Sequence, residues 1–313
     1  MTVKMVLDVD TGIDDALAIA YALASPEIEL LGITVSYGMA PVHCTFRNTK
    51  FIVDLFRGNT PVYMGADRPL QRSPQYFADF HGQDGLGDTL GGAAAAAVST
   101  ESAVDFIIRQ ARLHKHDLTL VTTGPLTNLA QAIAKDPAIT GMIGNVVVMG
   151  GAVLSPGNVS KFAEANMYVD PEAADLVFTS ALPITLVSLD VTRKTLLTEE
   201  DLLRWRNIGT KASTLFGEFT DFYIKSYKRF HPYMNGCALH DPLAVGVAKA
   251  PSLVGTVPMF LKVDLEPDAL GRTTEDLYRT SPAEPTARIC VQVDAERFRN
   301  DFFRRIEKLL ETG

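Results

Sequence analysis

The chain has 313 residues, 47% hydrophobic and 21% charged, enough apolar material for one large α/β domain or two smaller ones. A formal net charge of −8, from 37 acidic against 29 basic side chains, argues against nucleic acid or an anionic membrane as partner. Three cysteines without a CxxC pair, no apolar run of membrane length and no leader-like start point to a cytoplasmic enzyme or binding protein without a zinc site.

The first element is a short apolar strand, Met5-Val6-Leu7, of the kind parallel sheets bury. Asp8, Asp10, Asp14 and Asp15 follow within eight residues, around a lone Gly12. Asp8 and Asp10 lie two apart at a strand end, so their side chains are expected on one face. Asp14 and Asp15 open a helix whose apolar residues recur at Leu17, Ala18, Tyr21 and Ala22. A helix N-terminus accounts for one or two carboxylates, not four. Crowded carboxylates repel unless a cation sits among them, and all-oxygen ligation favours Ca²⁺ or Mg²⁺.

Ile28 to Val35 reads as the second strand, completing a βαβ unit, with Ser36-Tyr37-Gly38-Met39 at the edge where open α/β sheets bind ligands. A helix (Val42 to Phe56) and a strand (Pro61 to Met64) come next. The glycine-rich segment 74–90, with His81, is too polar for a core element and is expected as a functional loop over the site. Gly91 to Ala97 reads as surface linker and Glu101 to His114 as helix. Strands at Leu118–Thr123 and Asn145–Met149 both run into glycine, where backbone approaches something closely.

Gly157 to Asn166 is read as a polar loop in which Glu164 and Asn166, if extended, share a face. Asp170-Pro171 starts a helix in the usual N-cap manner, Pro183–Leu189 is a strand, and Thr198 opens a capped helix. A helix from Ala212 to Phe230 carries Phe219, Tyr223 and Tyr227 as a stripe, and Trp205 is expected to pack. Asp241 before Pro242 reads as an N-cap. Strands Val257–Val263 and Ala287–Val293 and an amphipathic helix Ala295–Leu310 close the chain, with no repeat and no clean domain boundary, so residues 1–313 are expected as a single domain.

DVDTGIDD, TTGPLTN, VMGG, GNVSKFAEAN, DPEAA and ALHDP occur in this order over nearly the whole chain. Together they resemble the inosine–uridine preferring nucleoside hydrolase family. The resemblance implies the nucleoside hydrolase fold, a mostly parallel central sheet with a Rossmann-like core flanked by helices. It also implies hydrolysis of a nucleoside to ribose and free base, with bound Ca²⁺, in a homodimer or homotetramer. Carried over residue by residue, Asp10 matches the general base that activates a calcium-bound water. Asp10, Asp15, Asp241 and the carbonyl of Thr123 match the calcium ligands, with Asp8 supporting them. Asp14, Asn158, Glu164 and Asn166 match residues that hold the ribose. His240 matches a histidine facing the leaving base as acid, and His81 sits where a loop histidine nears it. One position departs: the family usually has asparagine after VxG, and this chain has Met39, whose thioether donates no hydrogen bond.

These roles fit an oxocarbenium-like transition state, whose growing positive charge a ring of carboxylates stabilises. Two alternatives have sequence features behind them. DVDTG also resembles the nucleophile loop of haloacid dehalogenase-type phosphatases, though no downstream lysine and acidic pair matches it clearly. Met39 would suit a non-catalytic, calcium-dependent nucleoside or ribose binder, against which the retention of Asp10 speaks.

Overall fold

A computed structural model describes residues 2–56, 58–90, 99–278, 285 and 287–313. The segment read as surface linker, Gly91 to Ala97, lies outside the described residues. The first half of the chain runs β1 (Val3–Val9), α1 (Ile13–Leu23), β2 (Ile28–Val35), α2 (Val42–Leu55), β3 (Val62–Met64), α3 (Ala78–His81), α4 (Ala103–His114), β4 (Leu118–Thr122), α5 (Thr127–Lys135) and β5 (Asn145–Met149). There follow α6 (Ala165–Val169), α7 (Pro171–Phe178), β6 (Ile184–Val187), α8 (Leu189–Thr192), β7 (Leu196–Leu197), α9 (Glu199–Ile208) and α10 (Lys211–Phe230). The chain ends with β8 (Cys237–Ala238), α11 (His240–Lys249), β9 (Val254–Met259), β10 (Leu261–Val263), β11 (Thr273–Glu275), β12 (Ala287–Val293) and α12 (Ala295–Leu310).

Eight strands form one sheet in the order β3-β2-β1-β4-β5-β6-β12-β9. Every pairing in it is parallel except that of β12 with β9. This is the mostly parallel, helix-flanked sheet the sequence led one to expect. Strand alternation assigns its two faces. Met5, Leu7 and Val9 join one apolar cluster with α1, α11 and α12, whereas Val6 joins a second with α4, α5 and α7. From β1 the chain builds outward one way through β2 and β3, then returns to β4 on the other side. The order therefore reverses between β1 and β4, and the crevice beyond their C-terminal ends is where such sheets take ligands.

Several expectations are corrected. The strand placed at Val257–Val263 is two strands of different sheets: β9 starts at Val254, and β10 pairs with β11 instead. The strand placed at Pro183–Leu189 ends at Val187, because Ser188 begins the turn into α8. Asp241 is not an N-cap: α11 starts at His240 after Leu239, and Asp241 lies in its first turn with its side chain free of capping. Asp170, by contrast, caps α7 through Ala173 N–H at 3.1 Å, and Trp205 packs on Phe302 and Phe303.

Helix α12 ties together the C-terminal ends of α1 and α11. Asp301 accepts hydrogen bonds from Tyr21 of α1 (2.6 Å) and from Arg305 (2.9 Å), and forms an ion pair with Lys249 of α11. Burial by itself would raise the Asp301 carboxyl, but the hydrogen bonds from Lys249, Tyr21 and Arg305 outweigh it and hold the pKa well below the ordinary carboxylate value. A depressed carboxylate contributes stability that is present above its unfolded pKa of ~4 and is lost as pH falls through the folded value. Asp301→Ala is expected to cost ~2–3 kcal/mol, near the low end for breaking a buried pair because the side chain is 24% exposed. Urea melts at pH 7 check the loss. Melts at pH 3 should show a smaller gap between mutant and wild type.

Candidate active site

Asp10 stands at the reversal point, just past the end of β1, and is 1% exposed. Its Oδ2 accepts the Met39 N–H at 2.9 Å. Two glycines make room for its carboxylate. A Cβ on Gly38 would sit 1.9 Å from Asp10 Oδ2, and one on Gly124 would sit 2.8 Å from Oδ1. The close approach expected where β4 meets Gly124 is thus an approach to Asp10. Asp8 does not line the pocket: its Oδ1 accepts Thr34 Oγ1–H at 2.5 Å and Asn128 Nδ2–H at 2.8 Å, tying β1 to β2 and α5.

Helices α1 and α11 both aim their N-termini at Asp10's neighbourhood. Asp15 closes the first turn of α1 by accepting the Gly12 N–H at 3.0 Å, and its other oxygen accepts Thr123 Oγ1–H at 2.7 Å. Asp14 accepts the Tyr223 hydroxyl at 3.3 Å. Oxygens of Asp14, Asp15 and Asp241 all lie within 4.8 Å of one another. No lysine or arginine lines this pocket among the described residues. Burial first, then the neighbouring carboxylates, pushes Asp10 and Asp241 well above the ordinary carboxylate range. The same causes push Asp14 up to about 8, and burial pushes Asp15 up to about 6 against its hydrogen bonds. Like charges buried this close are tolerable only with protons or a cation among them. A set of oxygens alone suits a hard divalent cation. The tight group holds two of the expected ligands, Asp15 and Asp241, together with Asp14, which the resemblance assigned to the ribose.

Opposite the aspartates, the segment after β5 brings in the residues expected on the sugar. Glu164 and Asn166 do not share an extended strand face. Glu164 is the N-cap of α6, accepting N–H groups of Asn166 (3.0 Å), Met167 (3.3 Å) and Gly151 (3.0 Å). Asn166 sits in the first helical turn and donates Nδ2–H to the Thr123 carbonyl at 2.7 Å. Asn158 accepts the Ala165 N–H at 3.0 Å. All three side chains line the pocket.

The remaining wall is aromatic. The segment 74–90 does cover the site, with Phe77, Phe80 and His81 lining it. His81 Nδ1 accepts the Ile13 N–H at 3.1 Å, so its Nε2 carries the proton, and burial pushes its pKa down to about 3. Met39 lies beside it: a Cβ on Gly12 would meet His81 Nδ1 at 2.6 Å and Met39 Cγ at 2.9 Å. His240 is held at both nitrogens, Nε2 to the Tyr227 hydroxyl (2.6 Å) and Nδ1 to Thr192 Oγ1 (2.7 Å). Burial, reinforced by the Arg193 charge, pushes it to about 3, so the ring is neutral near pH 7. Phe77, Phe80, His231 and the Thr192 contact were not singled out from sequence. The i, i+3 spacing of Phe77 and Phe80 was the one available signal.

Comparison with known proteins gives the family. A family model described as inosine-uridine preferring nucleoside hydrolase matches residues 5–300. The chain is 36% identical over 300 residues to the pyrimidine-specific ribonucleoside hydrolase RihA of Escherichia coli O127:H6, covering 95% of this chain and 96% of that one. A purine-preferring ribonucleoside hydrolase from Gardnerella vaginalis superposes with a TM-score of 0.95 at 44% identity, over 99% of this chain and 100% of that one. A plant nucleoside hydrolase, PpNRh1, superposes with a TM-score of 0.92 at 30% identity, over 98% and 99% of the two chains.

Proposed function

The chain belongs to the inosine-uridine preferring nucleoside hydrolase family, and from that premise we propose how its residues divide the hydrolysis of a ribonucleoside to ribose and free base. Asp10 is the general base, taking a proton from the water that attacks the anomeric carbon. Asp14, Asn158, Glu164 and Asn166 hold the ribose hydroxyls, so the reacting carbon is fixed before positive charge grows on the sugar. Their oxygens, with those of the neighbouring aspartates, then stabilise that charge. Asp15 and Asp241, joined by Asp10 or Asp14 and the Thr123 carbonyl, would hold a calcium ion. That ion, when bound, supplies charge balance for the aspartates and lowers the pKa of water it ligates. On the base side the Tyr227 hydroxyl, backed by His240 and Thr192, is placed to hydrogen-bond the departing base.

The observation that carries this reading is the convergence of Asp10, Asp14, Asp15 and Asp241, all buried and with no lysine or arginine among the described residues that line the pocket, at the reversal point of the sheet. The resemblance to phosphatases of the haloacid dehalogenase type fails, because the family model spans the chain almost end to end. The reading also places the chain, as one domain, in a cytoplasmic homodimer or homotetramer, to be read by light scattering. No helix among the described residues is long and apolar enough to cross a membrane.

Release of reducing sugar from inosine, adenosine, uridine and cytidine by calcium-replete protein tests the reaction. No release from any of them would favour the non-catalytic binder that Met39 suggests. The relatives divide by name between pyrimidine and purine preference. The ring-lined wall here favours the larger face of a bicyclic base. Inosine is therefore expected to exceed uridine in kcat/KM by roughly 5-fold, the worth of ~1 kcal/mol of additional stacking. Equal or reversed values would remove stacking as the basis of preference.

A further inference from the structure

The four-residue helix α8, directly after β6, touches both sides of the pocket without lining it itself. Asp190 and Arg193 lie three apart on this turn and point at one stretch of chain. Asp190 Oδ2 accepts the Val153 N–H at 3.1 Å, and Oδ1 accepts those of Leu154 (3.1 Å) and Ser155 (2.7 Å). Arg193 donates Nη1–H to the Pro156 carbonyl at 2.8 Å and Nη2–H to that of Gly157 at 2.9 Å. Two side chains thus engage five consecutive residues: N–H groups at one end, carbonyls at the other. The carboxylate is itself steadied by Ser188 Oγ–H at 2.7 Å, and Leu189 N–H reaches the Gly151 carbonyl at 3.0 Å.

The next residue is Asn158. Its position in the pocket is set by that stretch on one side and by the bonds to Ala163 and Ala165 on the other. The segment 153–157 has no strand or helix of its own to define it. The backbone groups held by Asp190 and Arg193 would otherwise exchange among water partners, and these charge-assisted bonds are stronger than those. We propose that Asp190 and Arg193 are positioning residues that clamp 153–157 so that Asn158 is presented to the ribose, a role that rests on the hydrolase reading above. The clamp acts on substrate binding through Asn158 and touches no reacting atom.

Arg193→Met keeps the aliphatic stem and removes both donors. It is expected to raise KM for inosine by roughly 10-fold with kcat changed less than ~3-fold, the pattern of a lost contact common to ground and transition states. Arg193→Lys, which can reach one carbonyl, should recover part of the loss. In an Asn158→Ala background the Arg193→Met change should have little further effect on KM, because the clamp then has nothing to present. Amide hydrogen exchange across 153–158, measured without substrate, should speed up in Arg193→Met and in Asp190→Asn. Unchanged exchange overturns the clamp whatever the activity. Multiplying KM effects in the double mutant overturn its action through Asn158. A wild type that releases no ribose overturns the hydrolase reading and this role with it, whereas an active wild type with KM unchanged in Arg193→Met overturns this role alone.

Discussion

Asp10→Asn is expected to lower kcat for ribonucleoside hydrolysis by roughly 10³–10⁴-fold, the upper range for loss of a positioned general base. KM should stay within a few-fold, since the sugar contacts assigned to Asp14, Asn158, Glu164 and Asn166 are untouched. The substitution is nearly isosteric, and asparagine keeps an oxygen for the Met39 N–H that Asp10 Oδ2 now accepts at 2.9 Å. What it loses is the ability to take a proton. The same change should raise thermal stability of the cation-free protein. Asp10 is raised well above the ordinary carboxylate range by burial and by Asp15 and Asp14, so the fold bears its charge at a cost. Removing one of several repelling groups relieves that cost, as catalytic residues often do when they are lost. Base release by chromatography and a thermal melt on the same sample check both halves. Activity and melting temperature falling together would mean damage to the fold. Activity left within 10-fold of wild type would remove Asp10 from the base role.

Local rules made the α/β framework legible. Strands Ile28–Val35, Asn145–Met149 and Ala287–Val293 and helix Ala295–Leu310 fall at the bounds that apolar runs and periodicity indicate, because each buries its own pattern. What could not be read are elements defined only by a distant partner. Leu196–Leu197 is a strand because Cys237–Ala238 lies beside it, and β10 needs β11. The polar clamps were equally silent. Thr34 and Asn128 grip Asp8, and Thr192 meets His240, yet each is an ordinary polar residue within a strand or helix. Asp241-Pro242 misled for a related reason. Proline suits the first helical turn generally, and here the turn starts one residue before the aspartate, which frees that carboxylate for the pocket.

The aromatic stripe of α10 shows the limit most sharply. Phe219, Tyr223 and Tyr227 are four apart, and each step of four turns a helix ~40° beyond a full circle. The stripe therefore drifts. Phe219 stays in the core with Phe216, while Tyr223 reaches Asp14 and Tyr227 reaches His240. Periodicity gave the buried face, and the drift decided which rings belong to the site.

Removing the calcium ion proposed above should produce the second large effect, and its size should depend on pH. In the cation-free protein the crowded aspartates hold protons instead. Asp14 is pushed up to about 8, Asp8 to about 7 and Asp15 to about 6, in each case mainly by burial. An unfolded aspartate titrates near ~4, so between that value and about 8 the folded chain holds protons the unfolded chain has released. The contribution of these aspartates to the stability of the chelated protein is therefore greatest in acid and falls as pH rises through this window. A divalent cation competes with those protons, and binds better as they leave. With calcium at ~100 times its Kd, the stabilisation is ~2.7 kcal/mol. The difference in melting temperature between calcium-loaded and chelator-treated protein should accordingly be small at pH 5 and large at pH 8. Asp241→Asn should shrink the difference at pH 8, because it removes a ligand oxygen charge and a source of repulsion together. Equal melting temperatures with calcium and with chelator at pH 8 would show that protons alone balance the aspartates. A difference that grows with pH in wild type and collapses in Asp241→Asn would make Asp241 a ligand of the ion without any appeal to catalysis.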